Sequence, residues 1–234
     1  GCVLAEFRIA PLLFEAHGLS GEAAVETLLA GLRRSALASG LIVCAMRHLP
    51  PDETLRAARL ALAYKARGVI GFDLAGAEHG HPPGEHAQAL RAAREGGLPL
   101  TLHAGEADAA ERVIEALRLG AARIGHGIHL ADALADPNRR ALVDEAIERG
   151  AHFEVCPTSN VHTGAAASIA SHPIVALWRA GLSVGVNTDN RLMSRITLGG
   201  ECDALLEQTP LTRQDLLRMQ LEAARHSFLP QAAK

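Results

Sequence analysis

Histidines and carboxylates recur in this chain just after short β-rich runs. Arg47 with His48, Asp73 with Glu78, His103 with Glu106, and His126 each stand at such a place. Two later runs end in Cys156-Pro157-Thr158-Ser159-Asn160 and in Asn187-Thr188-Asp189-Asn190. Neutral imidazole and carboxylate suit a borderline cation such as zinc. Spread over several strand ends, they are what a metal-assisted hydrolase needs. Each residue alone also has a plainer reading. A single histidine at a strand end is more often a hydrogen-bonded loop residue. Asp189 in a Thr-Asp-Asn turn could satisfy backbone amides, and Glu106 could be a first-turn helix carboxylate. Together the strand-end features favour a site.

The elements that must position these residues follow a repeat of strand, helix and glycine. The β-rich runs cover residues 3–9, 41–46, 69–74, 98–103, 123–125, 152–156 and 182–187, and their starts lie 38, 28, 29, 25, 29 and 30 residues apart. A βα unit with its loops needs about that much chain. The runs are mostly continuous rather than alternating, as in parallel strands covered on both faces. Between them lie helical patterns, such as residues 20–39 with Val25, Leu28, Leu29 and Leu32 on one face. Asp52 is placed to cap the next helix, Asp108 with Glu111 resembles a capping box, and Pro137 and Pro173 suit first-turn positions. Gly40, Gly68, Gly97, Gly120, Gly150 and Gly181 stand where a helix gives way to the next strand, and are expected in the left-handed conformation. Residues 212–228 form a last amphipathic helix. Seven strands at this spacing predict a barrel or an open doubly wound sheet, and a complete barrel needs eight.

Composition narrows the function. The chain has 234 residues, is 48% hydrophobic and 21% charged, and carries a net charge of −3. No linker or low-complexity stretch interrupts it, so one domain is expected. A mildly acidic chain without a basic run has no electrostatic footprint for nucleic acid, and 3% aromatics argue against a base-stacking platform. No apolar stretch reaches the ~18 residues that span a bilayer. Cys2, Cys44, Cys156 and Cys202 are widely spaced and form no CxxC, which suits a reducing compartment and a cytoplasmic protein. The only His-x-His, His79-Gly80-His81, runs into Pro82-Pro83 and reads as surface loop. Cys156-Pro157 is not the P-C-x-x-C signature of the cytidine-type deaminases, which excludes that class.

Leu102-His103-Ala104-Gly105-Glu106, Arg123-Ile124-Gly125-His126-Gly127, the stretch from Phe153 to Val161 reading FEVCPTSNV, and Asn187-Thr188-Asp189 resemble the adenosine deaminase family. So do Gly71-Phe72-Asp73-Leu74-Ala75-Gly76 and Ser227-Phe228-Leu229-Pro230. The motifs stand in the family's order and cover nearly the whole chain. The resemblance implies a zinc-dependent (βα)8 barrel of the amidohydrolase type, α/β in class, with one Zn2+ per full-length chain. It implies that His103 and Asp189 are zinc ligands, Asp189 also holding the attacking water. It implies that Glu106 protonates purine N1, that His126 stands beside the zinc-bound hydroxide, and that Gly76 meets the purine through its backbone. Asn190 and Arg191 replace an Asp-Pro of the family. That Asp meets purine N7, and an Asn190 amide can donate to N7 from its NH2. Ala77 replaces an acidic residue of the same motif that contains Gly76.

The family's first strand carries an H-x-H pair supplying two zinc ligands. The run at residues 3–9 resembles the family's second strand instead. Residues 1–234 therefore read as a single barrel domain lacking its N-terminal strand and the helices after it, with two further histidine ligands expected in that missing segment. The expected reaction is deamination of adenosine, and of 2′-deoxyadenosine, to the 6-oxopurine nucleoside and ammonia in purine salvage. The partner is a small purine nucleoside, with no nucleic acid and no membrane. The competing readings are a deaminase of adenine or another aminopurine, and a non-catalytic remnant without the metal. The 234 residues alone are expected to bind zinc weakly, to turn over negligibly and to dissolve poorly, because two ligands are absent and strand edges are left unpaired.

Overall fold

Each of the seven β-rich runs forms a strand in the computed structural model, which describes residues 2–234. The strands and helices fall into two compact units: residues up to Leu102 with Leu119–Ala121 and Ser227–Lys234, and His103–Arg118 with Ala122–His226. The first contains β1 (Leu4–Ile9), α1 (Gly21–Leu32), β2 (Ala38–Met46), α2 (Pro51–Ala63), β3 (Val69–Ala75), α3 (Ala87–Glu95) and the start of β4 (Leu100–Ala104). Its strands are parallel and lie in sequence order. The second contains the end of β4, then α4 (Ala110–Arg118), most of β5 (Ala121–His126), α5 (Arg140–Glu148), β6 (His152–Val155), α6 (Pro157–His162), α7 (Ile174–Arg179), β7 (Ser183–Val186), α8 (Arg191–Ser194), α9 (Leu198–Gln208) and α10 (Arg213–His226). There β5, β6 and β7 are again parallel neighbours in sequence order. Parallel strands alternating with helices make the chain α/β, with seven of the strand–helix repeats of a (βα)8 barrel.

The strands are buried on both faces, which accounts for their continuous apolar runs. Leu41 to Ala45, Phe72, Leu74, Leu100 and Leu102 are all buried in the first unit, as are Ile124, Phe153, Val155, Val184 and Val186 in the second. Helix ends use local chemistry. Ser20 caps α1, its Oγ accepting the Ala23 N–H at 3.2 Å. A reciprocal capping box opens α10: Thr212 Oγ1 accepts the Asp215 N–H and Asp215 Oδ2 accepts the Thr212 N–H.

Several local expectations are corrected. The helix expected across residues 20–39 stops at Leu32, and β2 begins at Ala38. Gly40 therefore lies inside β2 rather than at a helix end, where a Cβ would stand 2.4 Å from Ile70 Cδ1. The other five glycines named there do have positive φ. Pro50 is the N-cap of α2, and Asp52 sits in the first turn, where its charge favours the helix dipole. Asp108 takes the Ala109 N–H while Glu111 is held by Arg139, so these two carboxylates are not paired as a capping box. Pro173 is the N-cap of α7, and Pro137 precedes α5 without entering its first turn.

Polar residues at strand ends in the first unit serve as ties. Arg8 on β1 reaches across β2 to the buried Asp73 on β3 (3.3 Å) and to Thr101 on β4 (3.4 Å). Glu6 accepts hydrogen bonds from Ser227 Oγ (2.9 Å) and the Phe228 N–H (2.5 Å). The Phe228 ring lies where a Cβ on Gly71 would be, 2.6 Å away. This links the Gly71 and Ser227-Phe228 motifs.

In the second unit, His152 is buried at the start of β6. Its Nδ1 is 2.9 Å from Ser183 Oγ, and its ring stacks on His226 at 4.8 Å. Burial pushes its pKa down from 6.5 to about 3. A histidine held neutral this way contributes stability that is complete above its unfolded pKa and is lost as pH falls from about 6.5 toward 3. The protein is expected to lose up to about 1.4 kcal/mol per pH unit through this group below pH 6.5. Urea midpoints measured from pH 7 to pH 4 should fall more steeply for the wild type than for His152→Gln. Parallel curves would show that His152 is not the group held neutral.

Candidate active site

The motif at the end of β4 leaves the strand through Gly105, which has φ +69° and stands where a Cβ would meet Val113 Cγ2 at 2.6 Å. That turn carries Glu106 out of the strand. The next strand accommodates His103: Gly125 has no Cβ, and one built there would lie 3.3 Å from the His103 ring. The chain then turns sharply. His126 and Gly127 both have positive φ, 61° and 65°. For a residue with a side chain this left-handed conformation costs roughly 1–2 kcal/mol, and such strain concentrates at functional sites. Asp189, just after β7, has φ 51°. Of the three non-glycine residues with positive φ among the described residues, two are therefore ones the sequence singled out.

The side chains converge. The rings of His103 and His126 lie 5.2 Å apart. His126 Nε2 is 3.5 Å from Glu106 Oε2, with His126 only 2% exposed. The short helix α6 supplies the groups that hold them. Asn160 Nδ2 is 3.0 Å from His126 Nδ1 and 3.4 Å from Glu106 Oε1. Thr163 donates its hydroxyl to Glu106 Oε1 at 3.2 Å. Ser159 donates to Asp189 Oδ2 at 2.7 Å, so the carboxylate after β7 is tied to the same helix. Glu201, fully buried on α9, accepts the Thr158 N–H at the start of α6, and burial pushes its carboxyl pKa up.

Glu106, His126 and Asp189 are thus joined through one helix within the second unit, and His103 lies beside the His126 ring. Asn190 is exposed beside them. Its Oδ1 accepts the Met193 N–H and caps α8, so the proposed contact to N7 would use the NH2 end of the amide. Gly76 belongs to the first unit. It has φ +95°, and a Cβ there would approach His48 Nδ1 to 2.8 Å. His79 and His81 lie in the turn after β3, as expected. Sequence reasoning gave no role to Thr163, His172 or Glu201. The order of residues around them carries no motif of its own, and only the packing against α6 shows their use.

Zinc is held by imidazole, thiolate and carboxylate donors. His103 and Asp189 offer one imidazole and one carboxylate, which are the right chemistry. A zinc site takes three or four protein ligands, and among the described residues no group of three or more His, Cys, Asp or Glu side chains is placed to hold a metal. The described residues therefore do not make a complete zinc site.

The fold is that of an α/β barrel protein, with imidazoles and carboxylates gathered at or just after the ends of β4, β5 and β7. A model of the adenosine deaminase family matches residues 1–234, and the chain belongs to that family. An adenosine deaminase of Mycolicibacterium gilvum is 40% identical over 242 residues, covering 97% of this chain; the chain spans 66% of that relative's length. An adenine deaminase from Arthrobacter aurescens superposes with a TM-score of 0.87 at 27% identity, over 98% of this chain and 70% of its own. A zinc-bound amidohydrolase from Burkholderia ambifaria shares the fold, with a TM-score of 0.83 at 24% identity, over 98% of this chain and 64% of its own.

The left-handed turn after His126 gives a direct test. Gly127→Ala would place a Cβ 2.4 Å from Phe153 Cδ1 at a φ that alanine resists. A loss of about 2–4 kcal/mol in unfolding free energy is expected, from strain plus displacement of a core ring. An unchanged denaturation midpoint would show that the turn is not held in this conformation.

Proposed function

We propose that the protein containing this chain is a zinc-dependent adenosine deaminase that converts adenosine and 2′-deoxyadenosine to the 6-oxopurine nucleoside and ammonia. The observation that carries the reading is the Glu106–His126 pair, 3.5 Å apart and held by a buried amide. Purine C6 is a poor electrophile. Protonation of N1 by Glu106 withdraws electron density from the ring as an oxygen nucleophile adds at C6. His126 faces that oxygen and stabilises the charge that develops on it. Asp189, fixed by Ser159, orients the attacking water. Asn190 donates to N7 through its NH2, and the Gly76 backbone meets the purine. As the C6–O bond forms, the water gives one proton to Asp189, which passes it to the departing nitrogen as the C6–N bond breaks and ammonia leaves; the water's second proton restores the acid form of Glu106. In this reading His103 and Asp189 would be two of the ligands of zinc, which when bound would supply hydroxide near neutral pH by lowering the pKa of a water molecule to about 7.

The substrate is a small nucleoside rather than nucleic acid or lipid, and the protein acts in the cytoplasm as one barrel domain. No described helix is long and apolar enough to cross a membrane. The likeness to the Arthrobacter aurescens adenine deaminase favours a second reading, in which the free base is the substrate.

The test uses the full-length protein with adenosine, 2′-deoxyadenosine and adenine in parallel. Glu106→Gln should keep zinc and lose about 10²–10⁴-fold in turnover, because an amide cannot deliver the N1 proton. His103→Ala should lose zinc as well, measured by metal analysis after dialysis. Wild-type turnover by Glu106→Gln would overturn the acid assignment. A zinc-free, inactive wild-type protein would favour a non-catalytic remnant.

A further inference from the structure

We infer that His172, which stands outside every site motif, fixes the tautomer of His126 by orienting the Asn160 side-chain amide between them. The hydrogen bonds determine their own direction. The Ile174 backbone N–H can only donate, and it meets His172 Nδ1 at 3.1 Å. Nδ1 therefore accepts. A neutral imidazole has a single N–H, so in His172 it is on Nε2. That Nε2 lies 3.3 Å from Asn160 Oδ1, which accepts from it. The other end of the amide is then Nδ2, a group with protons and no lone pair to offer. It meets His126 Nδ1 at 3.0 Å. His126 Nδ1 must accept, which puts the proton of neutral His126 on Nε2.

Three features keep this relay in one direction. Asn160 is fully buried and His172 nearly so, so water does not compete for their polar atoms. Burial, with His126 nearby, holds the His172 pKa down to about 4, so the residue is neutral across the ordinary working range. The second Nδ2 proton faces Glu106 Oε1 at 3.4 Å, whereas a reversed amide would turn a carbonyl oxygen toward that carboxylate. His126 consequently presents an N–H, not a lone pair, toward Glu106 Oε2 at 3.5 Å. It is equipped to donate a hydrogen bond to an oxygen gaining charge, and it is not equipped to take a proton there. His172 is thus a positioning residue acting through Asn160. Its effect on turnover rests on the deaminase reading, while the tautomer does not.

Two readouts separate these statements. Full-length protein labelled with ¹⁵N-histidine is studied by long-range ¹H–¹⁵N correlation, with the His126 signals assigned by their loss in His126→Gln. The wild type should show His126 protonated on Nε2. Asn160→Asp, whose carboxylate accepts from both neighbours, should move that proton to Nδ1. His172→Phe should mix the two forms and lower kcat by about 100-fold, as a small misplacement of a reacting group does, with KM little changed. His172→Gln keeps a donor for Asn160 Oδ1 and should keep both the tautomer and most of kcat. A wild-type His126 protonated on Nδ1 would overturn the inference. So would a His172→Phe protein with the wild-type tautomer and kcat. The expected tautomer pattern in a protein that deaminates none of the three substrates would uphold the relay and refute the deaminase reading.

Discussion

A buried side-chain amide has two donor and two acceptor capacities and no water on which to use them. Each one left unmet costs about 1–3 kcal/mol. Asn160 uses both donors and one of its acceptor sites by facing His126, Glu106 and His172 at once, and the placement of α6 in the second unit follows from it. The amide can satisfy all three only if α6 stands at one height and angle against β4 and β5. Ser159, one residue earlier on the same helix, then meets Asp189. The helix also has to be anchored from behind. Glu201 does so through the Thr158 N–H, a buried carboxylate at the positive end of a short helix. A helix of six residues has little stability of its own, so these polar ties hold it where a longer helix would rely on an apolar face.

Backbone strain is the counterpart of that rigidity. His126 and Asp189 both sit at positive φ, a conformation that costs a residue with a side chain roughly 1–2 kcal/mol. The ties from Asn160 to the ring of His126 and from Ser159 to the carboxylate of Asp189 oppose relaxation. Glycine fills the neighbouring positions for a related reason. Gly125 leaves room for His103, and Gly127 leaves room for the Phe153 ring. Two of these ties and both glycines fall inside the contiguous motifs that identify the family, so the motifs record backbone geometry as much as chemistry.

The strand repeat was legible because parallel strands buried on both faces must be apolar nearly throughout, and because each is preceded by a glycine or a polar turn. Strand limits observed at Leu4–Ile9, Val69–Ala75 and His152–Val155 lie within a residue or so of those read from pattern. Errors arose where two signals overlapped. Residues 33–39 continue the composition of α1, yet the chain leaves the helix at Leu32 because the strand register needs Ala38 opposite Leu4. Gly40 looked like a helix end and is a close packing point against Ile70. In the site, His103, Glu106 and His126 were legible because motif and chemistry coincide. His172 was not, because its role depends on a backbone N–H two residues ahead fixing which of its nitrogens can donate. That is a property of the folded arrangement and leaves no mark in residue order.

The two units show why residue type at a strand end does not by itself reveal a role. Arg8, Asp73 and Thr101 stand at comparable heights on β1, β3 and β4, and they satisfy one another across the strands. Arg47, also buried, donates to the Leu74 carbonyl, while His86 bridges the Arg47 carbonyl and the Thr54 hydroxyl. Burial pushes the His86 pKa down, as it does for His152 and His172. These groups close the core by pairing with their immediate neighbours. In the second unit, His126 and Glu106 share the Asn160 amide as a partner, and Thr163 adds its hydroxyl to Glu106, so one short helix sets the direction of both side chains.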